Sequence, residues 1–125
     1  MEHVYREEIL EHYRHPSHFG KLQTYTVKSH QTNPFCGDDI EIFLQTEKGK
    51  VTDISFQGVG CAICIASTSI LTEYVLGKQL TELTKMKEGD MLALLQMDIS
   101  QSRKKCALLG FATCKDCIYA AQSKS

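Results

Sequence analysis

This sequence lacks most of the features that commit a chain to a membrane, a nucleic acid or an export route. Its charges nearly cancel: 14 basic against 15 acidic residues give a formal net charge of -1. Charge therefore supplies no drive toward nucleic acid or an anionic membrane, and neither is expected as a partner. No apolar run is long, and the stretch around Ala62–Ala66 falls far short of the about 20 residues a spanning helix needs. The N-terminal stretch MEHVYREEILEHYRH carries charge throughout and has no apolar core of the kind an export signal requires. A cytoplasmic protein is the expectation. There is no repeat, linker or low-complexity segment, and only two prolines, Pro16 and Pro34.

What the chain does have is cysteine, six in 125 residues. The hydrophobic content of 42% is enough for a core, and the length fits one domain over residues 1–125. With no export signal, metal binding or thiol chemistry is a better reading of the cysteines than a disulfide framework.

The stretch Asn33-Pro-Phe-Cys-Gly-Asp38 sets a thiol and a carboxylate two residues apart among turn formers. Pro34 fixes one backbone angle, and Gly37 permits angles a side chain would forbid. Cys36 and Asp38 are thus expected to converge just before a strand begins. A soft sulfur ligand beside a hard oxygen ligand suggests a metal site. Two further thiols, Cys61 and Cys106, lie far along the chain, so only a fold can gather them. Three thiols and one carboxylate would complete a four-coordinate site for Zn²⁺, or half the valences of an iron–sulfur cluster, and spacing alone does not choose. Taken singly, Cys61 and Cys106 read equally well as small buried hydrophobes. Cys61 follows a Gly-rich turn at an expected helix N-terminus, and Cys106 follows Arg103, Lys104 and Lys105. Both settings are expected to lower the thiol pKa.

In chain order, residues 3–14 read as a helix with Tyr5, Ile9 and Tyr13 on one face, stopped by Pro16. Segment 15–20 reads as a connector, and His12, His15 and His18 as a solvated helix end. Residues 24–30 read as a strand. From Asp39 to Gln45 the pattern alternates, with Ile40, Ile42 and Leu44 opposed to Glu41 and Phe43. Residues 47–50 form a hairpin turn, and Val51–Gln57 returns with Ile54 and Phe56 on one face. Gly58-Val-Gly60 ends the sheet and leads into a helix near 61–76, with a stripe of Ile63, Ile70, Leu71 and Tyr74 and a stop at Gly77. Its small residues, Ala62, Ala66, Ser67 and Ser69, suggest close packing. Residues 81–97 read as one or two short helices broken near Glu88-Gly-Asp90, with Met91, Leu92, Leu94 and Leu95 in the core. Residues 102–121 read as a last helix with Ala107, Leu108, Phe111 and Ile118 inward. The class is α+β, a three-stranded antiparallel sheet packed against several helices.

Cys64 reads as a packing residue. Cys114 and Cys117 form a Cys-x-x-Cys on the last helix, where packing competes with a redox pair or a second metal half-site.

The motifs NPFCGD (33–38), GVGCAICIASTSILTEYVLGK (58–78) and RKKCALLG (103–110) resemble the iron–sulfur cluster scaffold family of IscU, SufU and the N-terminal domain of NifU. Tyr13-Arg-His-Pro16 with Gly20 resembles that family's early YxxPxNxG pattern, with His18 in place of Asn. The resemblance spans nearly the whole chain. It implies a compact α+β fold and a scaffold with no turnover of its own. It implies that sulfur comes from a cysteine desulfurase, with Cys36 and Cys106 as candidate acceptors. It implies a nascent [2Fe-2S] cluster, iron or alternatively Zn²⁺ held by Cys36, Asp38, Cys61 and Cys106, and recipient apo iron–sulfur proteins as partners.

Two departures bound it. Where IscU proteins carry LPPVKxHC, this chain has Gln101-Ser-Arg-Lys-Lys-Cys106, with no epitope for an Hsp70-type chaperone and with Lys105 in place of His. Its Arg-x-Lys-Cys-Ala form is closer to SufU, yet the segment between Cys61 and Cys106 has no room for the SufU insertion. Two other readings stand beside the scaffold: a zinc-bound SufU-type sulfurtransferase partner of a desulfurase, and a thiol–disulfide oxidoreductase using Cys114 and Cys117.

Overall fold

The computed structural model describes residues 2–124, with side chains from Glu7 onward. Helix α1 (Glu2–Arg14) leads into three strands, β1 (Val27–Asn33), β2 (Asp38–Glu47) and β3 (Lys50–Val59). Helices α2 (Ala62–Val75), α3 (Leu80–Thr84) and α4 (Glu88–Leu94) follow, then a 3₁₀ turn at Gln101–Arg103 and the long α5 (Lys104–Lys124). The sheet is antiparallel in the order β1-β2-β3.

Alternation builds the core. Ile40, Ile42 and Leu44 on β2 pair beside Phe56 and Ile54 on β3, and all five are buried on the face that α2 and α5 cover. The opposite face is largely polar, with Val59 exposed on it and with Phe43 only 1% exposed because the Tyr25 ring stands edge-on to it, 5.2 Å between centroids. Tyr25 thus serves as a cover. Strand β1 starts three residues later than residues 24–30 suggest, because its pairing is fixed at the other end, where Asn33 sits opposite Asp38. The β2–β3 turn places Lys48 at φ 53° and Gly49 at φ 77°, the left-handed pair that matches the twist of a tight hairpin.

The connector after α1 is not a solvated helix end. The backbone N–H of Ser17 donates to Ser69 Oγ (2.7 Å), which is also hydrogen-bonded to His12 Nδ1 (2.7 Å). Thr72 Oγ1 donates to the Ser69 carbonyl (2.7 Å) and accepts from His18 Nδ1 (3.0 Å). Only His15 of the three is exposed. The connector also covers the open edge of β3, through Phe56 N–H to His18 O (3.0 Å) and Gly20 N–H to Phe56 O (2.7 Å). The Tyr5 side chain lies outside the described residues.

Helix α2 buries a face different from the expected stripe. Leu71 is inside, but Ile63 and Ile70 are half-buried and Tyr74 is exposed, with Lys78 Nζ 4.8 Å from its ring centroid. The inner face is Cys64, Ser67, Thr68, Leu71, Thr72 and Val75. Two of the hydroxyls there return to the helix backbone, Thr68 Oγ1 to Cys64 O (2.9 Å) and Thr72 Oγ1 to Ser69 O (2.7 Å), while the buried Ser67 hydroxyl has no partner among the described residues. Small side chains are required because α5 crosses closely: a Cβ on Gly110 would lie 2.2 Å from Thr68 Oγ1. Gly77, at φ 88°, ends α2 as expected.

The break between α3 and α4 falls at 85–87, and Glu88-Gly-Asp90 is instead the first turn of α4. Asp90 caps that turn by accepting the Lys87 N–H (2.8 Å). Lys115 of α5 closes the end of α3, donating to the carbonyls of Thr84 (2.9 Å) and Met86 (2.8 Å) and, at 3.3 Å, of Leu83. Met91 and Leu95 are buried, with Leu92 and Leu94 packed against the core, and Ala107, Phe111 and Ile118 face inward with Leu108 partly so. Among the described residues no helix is long and apolar enough to cross a membrane.

Candidate metal centre

The NPFCGD segment is the loop that joins β1 to β2. The Asn33 carbonyl accepts the N–H of Gly37 (2.8 Å) and of Cys36 (3.3 Å), and its side-chain Oδ1 accepts the N–H of Phe35 (3.1 Å). Asn33 therefore caps this turn, and Asp38 does not. Gly37 takes φ 73°, which carries Cys36 to the exposed tip and returns the chain so that Asp38 starts β2. Asp38 falls in the inward phase of that strand with Ile40, and is 2% exposed.

A buried carboxylate needs donors. Asp38 Oδ1 accepts the backbone N–H of Cys61 (3.1 Å), and Oδ2 lies 3.9 Å from Cys61 Sγ. Cys61 itself is the extended N-cap residue of α2 (φ -70°, ψ 168°), where the helix dipole favours negative charge. Cys106, in the first turn of α5, brings its Sγ within 3.9 Å of Cys36 Sγ. Donor atoms of Cys36, Asp38 and Cys106 all lie within 4.8 Å of one another. The hairpin loop, the start of α2 and the start of α5 thus meet at one point.

The cations before Cys106 do not reach its sulfur electrostatically. Arg103 and Lys105 are exposed, and Lys105 Nζ stands 5.4 Å from the Phe35 ring centroid. Burial dominates instead. It pushes the Cys106 thiol up to about 12, helped by hydrogen bonds with Cys61, Asp38 and Cys36. The expected lowering is therefore reversed at Cys106, and the metal-free site keeps that proton until a cation displaces it.

Residues 4–125 match the family model of the NifU-like N-terminal domain. The chain belongs to that family. It is 32% identical to the iron-sulfur cluster assembly scaffold protein IscU of Thermotoga maritima, over 92% of each chain. It is 30% identical to the zinc-dependent sulfurtransferase SufU of Bacillus subtilis, over 86% of this chain and 84% of that protein. The crystal structure of a nitrogen-fixing NifU-like protein (N-terminal) from Brucella abortus superposes with a TM-score of 0.78 at 22% identity, covering 98% of this chain and 96% of that one. That last likeness concerns the fold, and it agrees with the three-stranded α+β architecture described above.

In this family member Cys36, Asp38 and Cys106 form the close group, and Cys61 stands beside Asp38 but does not lie within 4.8 Å of all three. With bonds of about 2.3 Å, ligands of one ion lie roughly 3.8 Å apart, close to the 3.9 Å between Cys36 and Cys106 and between Cys61 and Asp38. Cys114 and Cys117 stand apart from it. They follow Cys106 on α5 by roughly 12–17 Å at ~1.5 Å per residue. Both are buried, and burial pushes the Cys114 thiol far up and the Cys117 thiol up to about 11. Cys117 donates to the Ile42 carbonyl of β2 (3.5 Å), a packing contact with the sheet. Gly60 and Cys64, the latter read from the sequence as a packing residue, lie beside Asp38. The signal available was the i, i+3 spacing of Cys61 and Cys64, which places both on one side of α2.

Proposed function

We propose that this protein is an iron–sulfur cluster assembly scaffold, one domain over residues 1–125, that acts in the cytoplasm without turnover of its own. Cys36, Asp38, Cys61 and Cys106 hold a nascent [2Fe-2S] cluster as cargo. The observation that carries this reading is the group of donors formed by Cys36, Asp38 and Cys106, with Cys61 of α2 beside Asp38. The names of the relatives support it. Sulfur arrives from a cysteine desulfurase: an acceptor thiolate attacks the outer sulfur of the enzyme's persulfide, the donor S–S bond breaks, and the donor leaves as a thiolate. Cys36 is the better acceptor, because it is exposed at the loop tip and Cys106 is buried. Reducing each transferred sulfur to sulfide takes two electrons from an external donor. The finished cluster passes to recipient apo-proteins. Nothing in residues 101–106 favours a specialised Hsp70 chaperone.

A second reading, a zinc-bound sulfurtransferase partner of the desulfurase, is favoured by the SufU relative. In it, Zn²⁺ occupies the same four residues and Cys36 leaves the ion to accept sulfur. The oxidoreductase reading loses support, since both thiols of the Cys-x-x-Cys are buried and raised in pKa, whereas a redox-active pair needs an accessible thiolate. Anaerobic incubation with a cysteine desulfurase, cysteine, a reductant and Fe²⁺ tests the proposal. Visible charge-transfer bands with equal iron and sulfide support the scaffold. A colourless protein with one Zn²⁺ that accelerates the desulfurase supports the second reading. Full metal occupancy in each of Cys36→Ser, Cys61→Ser and Cys106→Ser would overturn the assigned site under either reading.

A further inference from the structure

On the solvent side of the candidate metal centre an aromatic ring meets a cation, and neither belongs to the ligand set. Phe35 precedes Cys36 at the tip of the β1–β2 loop and is 88% exposed. Lys105 precedes Cys106 at the start of α5, and its Nζ stands over the Phe35 ring, 5.4 Å from the centroid. An ammonium is attracted to the negative face of a ring out to about 6 Å. One residue further along each segment, Cys36 Sγ and Cys106 Sγ lie 3.9 Å apart. Residues 35 and 36 thus face residues 105 and 106 one against one, with the ring and the cation outside and the two sulfurs inside. Asn33 holds the N–H groups of Phe35, Cys36 and Gly37. Those bonds set the shape of the turn, but they lie within the loop and do not tie it to α5.

We propose that Phe35 and Lys105 are positioning residues for Cys36: their contact is a clasp that holds the exposed loop tip against the start of α5, so that the Cys36 sulfur stays over the site beside Cys106. This rests on the metal site proposed above. A loop tip that swings free carries Cys36 away for part of the time, and apparent affinity falls in proportion to the fraction of molecules ready to bind. An exposed contact between an ammonium and a ring changes such a balance by about 2–5-fold. The clasp is weak enough for Cys36 to leave when a sulfur donor engages it, and strong enough to return it afterwards.

The test uses the full chain. In NMR spectra of the metal-free protein the Lys105 ε-methylene protons should lie upfield, shifted by the ring current of Phe35, and Phe35→Leu should abolish that shift. Zn²⁺ affinity, read by chelator competition, should fall about 2–5-fold in Phe35→Leu, which removes the ring without changing charge. Lys105→Met also removes a charge beside the site, so a double-mutant cycle isolates the contact: Lys105→Met should cost less in the Phe35→Leu chain than in the parent. Phe35→Tyr and Lys105→Arg keep the ring and the cation and should hold the parental affinity. Parental affinity in Phe35→Leu would overturn the proposal. So would an absent ring-current shift, or an equal cost of Lys105→Met with and without the ring. A parent that shows the shift yet binds no Zn²⁺ would overturn the metal site itself, and the role of the clasp with it.

Discussion

Helices α2 and α5 cross closely, and Gly110→Ala tests that crossing. The added methyl would lie 2.2 Å from Thr68 Oγ1, 2.9 Å from Thr68 Cβ and 3.0 Å from Thr68 Cγ2. Ordinary carbon contacts sit at about 3.5–4.0 Å, so the helices must part by about 1 Å unless Thr68 turns away. Turning away is costly: Thr68 is β-branched, and its hydroxyl donates to the Cys64 carbonyl at 2.9 Å. Overpacking of this kind costs about 1–3 kcal/mol. Replacing glycine by alanine inside a helix returns up to about 1 kcal/mol. The balance is a loss of about 1–2 kcal/mol, which for a chain of this size lowers the melting temperature by roughly 4–10 °C. Thermal unfolding of the metal-free protein by circular dichroism reads it directly. Thr68→Ala removes Oγ1 and Cγ2, so Gly110→Ala should cost less in that background, and a double-mutant cycle isolates the term. A Gly110→Ala protein that melts at or above the parent would refute the reasoning, because propensity alone would then decide the site.

Three further outcomes are expected. Asp38→Ala should assemble a cluster and pass it to an apo-ferredoxin several-fold more slowly, because a harder ligand that eases release is gone; transfer at the parental rate would remove that role. The Cys114→Ala, Cys117→Ala double variant should keep its metal, and metal loss from a folded double variant would place a second determinant on α5. Lys115→Met keeps the apolar stem but removes the donor to the carbonyls of Leu83, Thr84 and Met86; its urea midpoint should fall by an amount worth about 1–3 kcal/mol, and an unchanged midpoint counts against that cap.

The sheet was legible because its signal is local. Period-two alternation marks Ile40, Ile42 and Leu44, and then Ile54 and Phe56, and each of them is buried on the expected face. What escaped was set by partners distant in sequence. Strand β1 slides to Val27–Asn33 because the loop closing at Asn33 and Asp38 fixes its register, whatever the β propensity of Thr24-Tyr-Thr26. The inner face of α2 carries Ser67, Thr68 and Thr72 because α1 and α5 approach it closely, so hydrophobicity marks the wrong side. His12 and His18 look solvated next to their sequence neighbours, and find Ser69 and Thr72 only after folding. At the site, Cys36 and Asp38 were readable as a local pair. That Cys61 and Cys106 join them followed from family resemblance, because no rule of spacing joins residues so far apart. The Cys106 environment was misread for the same reason: its cations are local and point to solvent, and its burial is tertiary.

Because the four donors ride on the hairpin loop, α2 and α5, the site exists only while those elements are packed. A metal that binds there adds its binding free energy to folding, about 2.7 kcal/mol at a concentration of 100 times Kd, less whatever it gains from cysteines of the unfolded chain. The link runs both ways and sorts the variants. Gly110→Ala acts on the helix crossing, so it should lower the melting temperature of the metal-free chain and move Cys106 relative to Cys61, weakening metal binding in parallel. A variant that loses stability but not affinity would mean that the donors gather around the metal without help from the helices. The buried Asp38 argues against that, since its carboxylate is fixed by the N–H that opens α2.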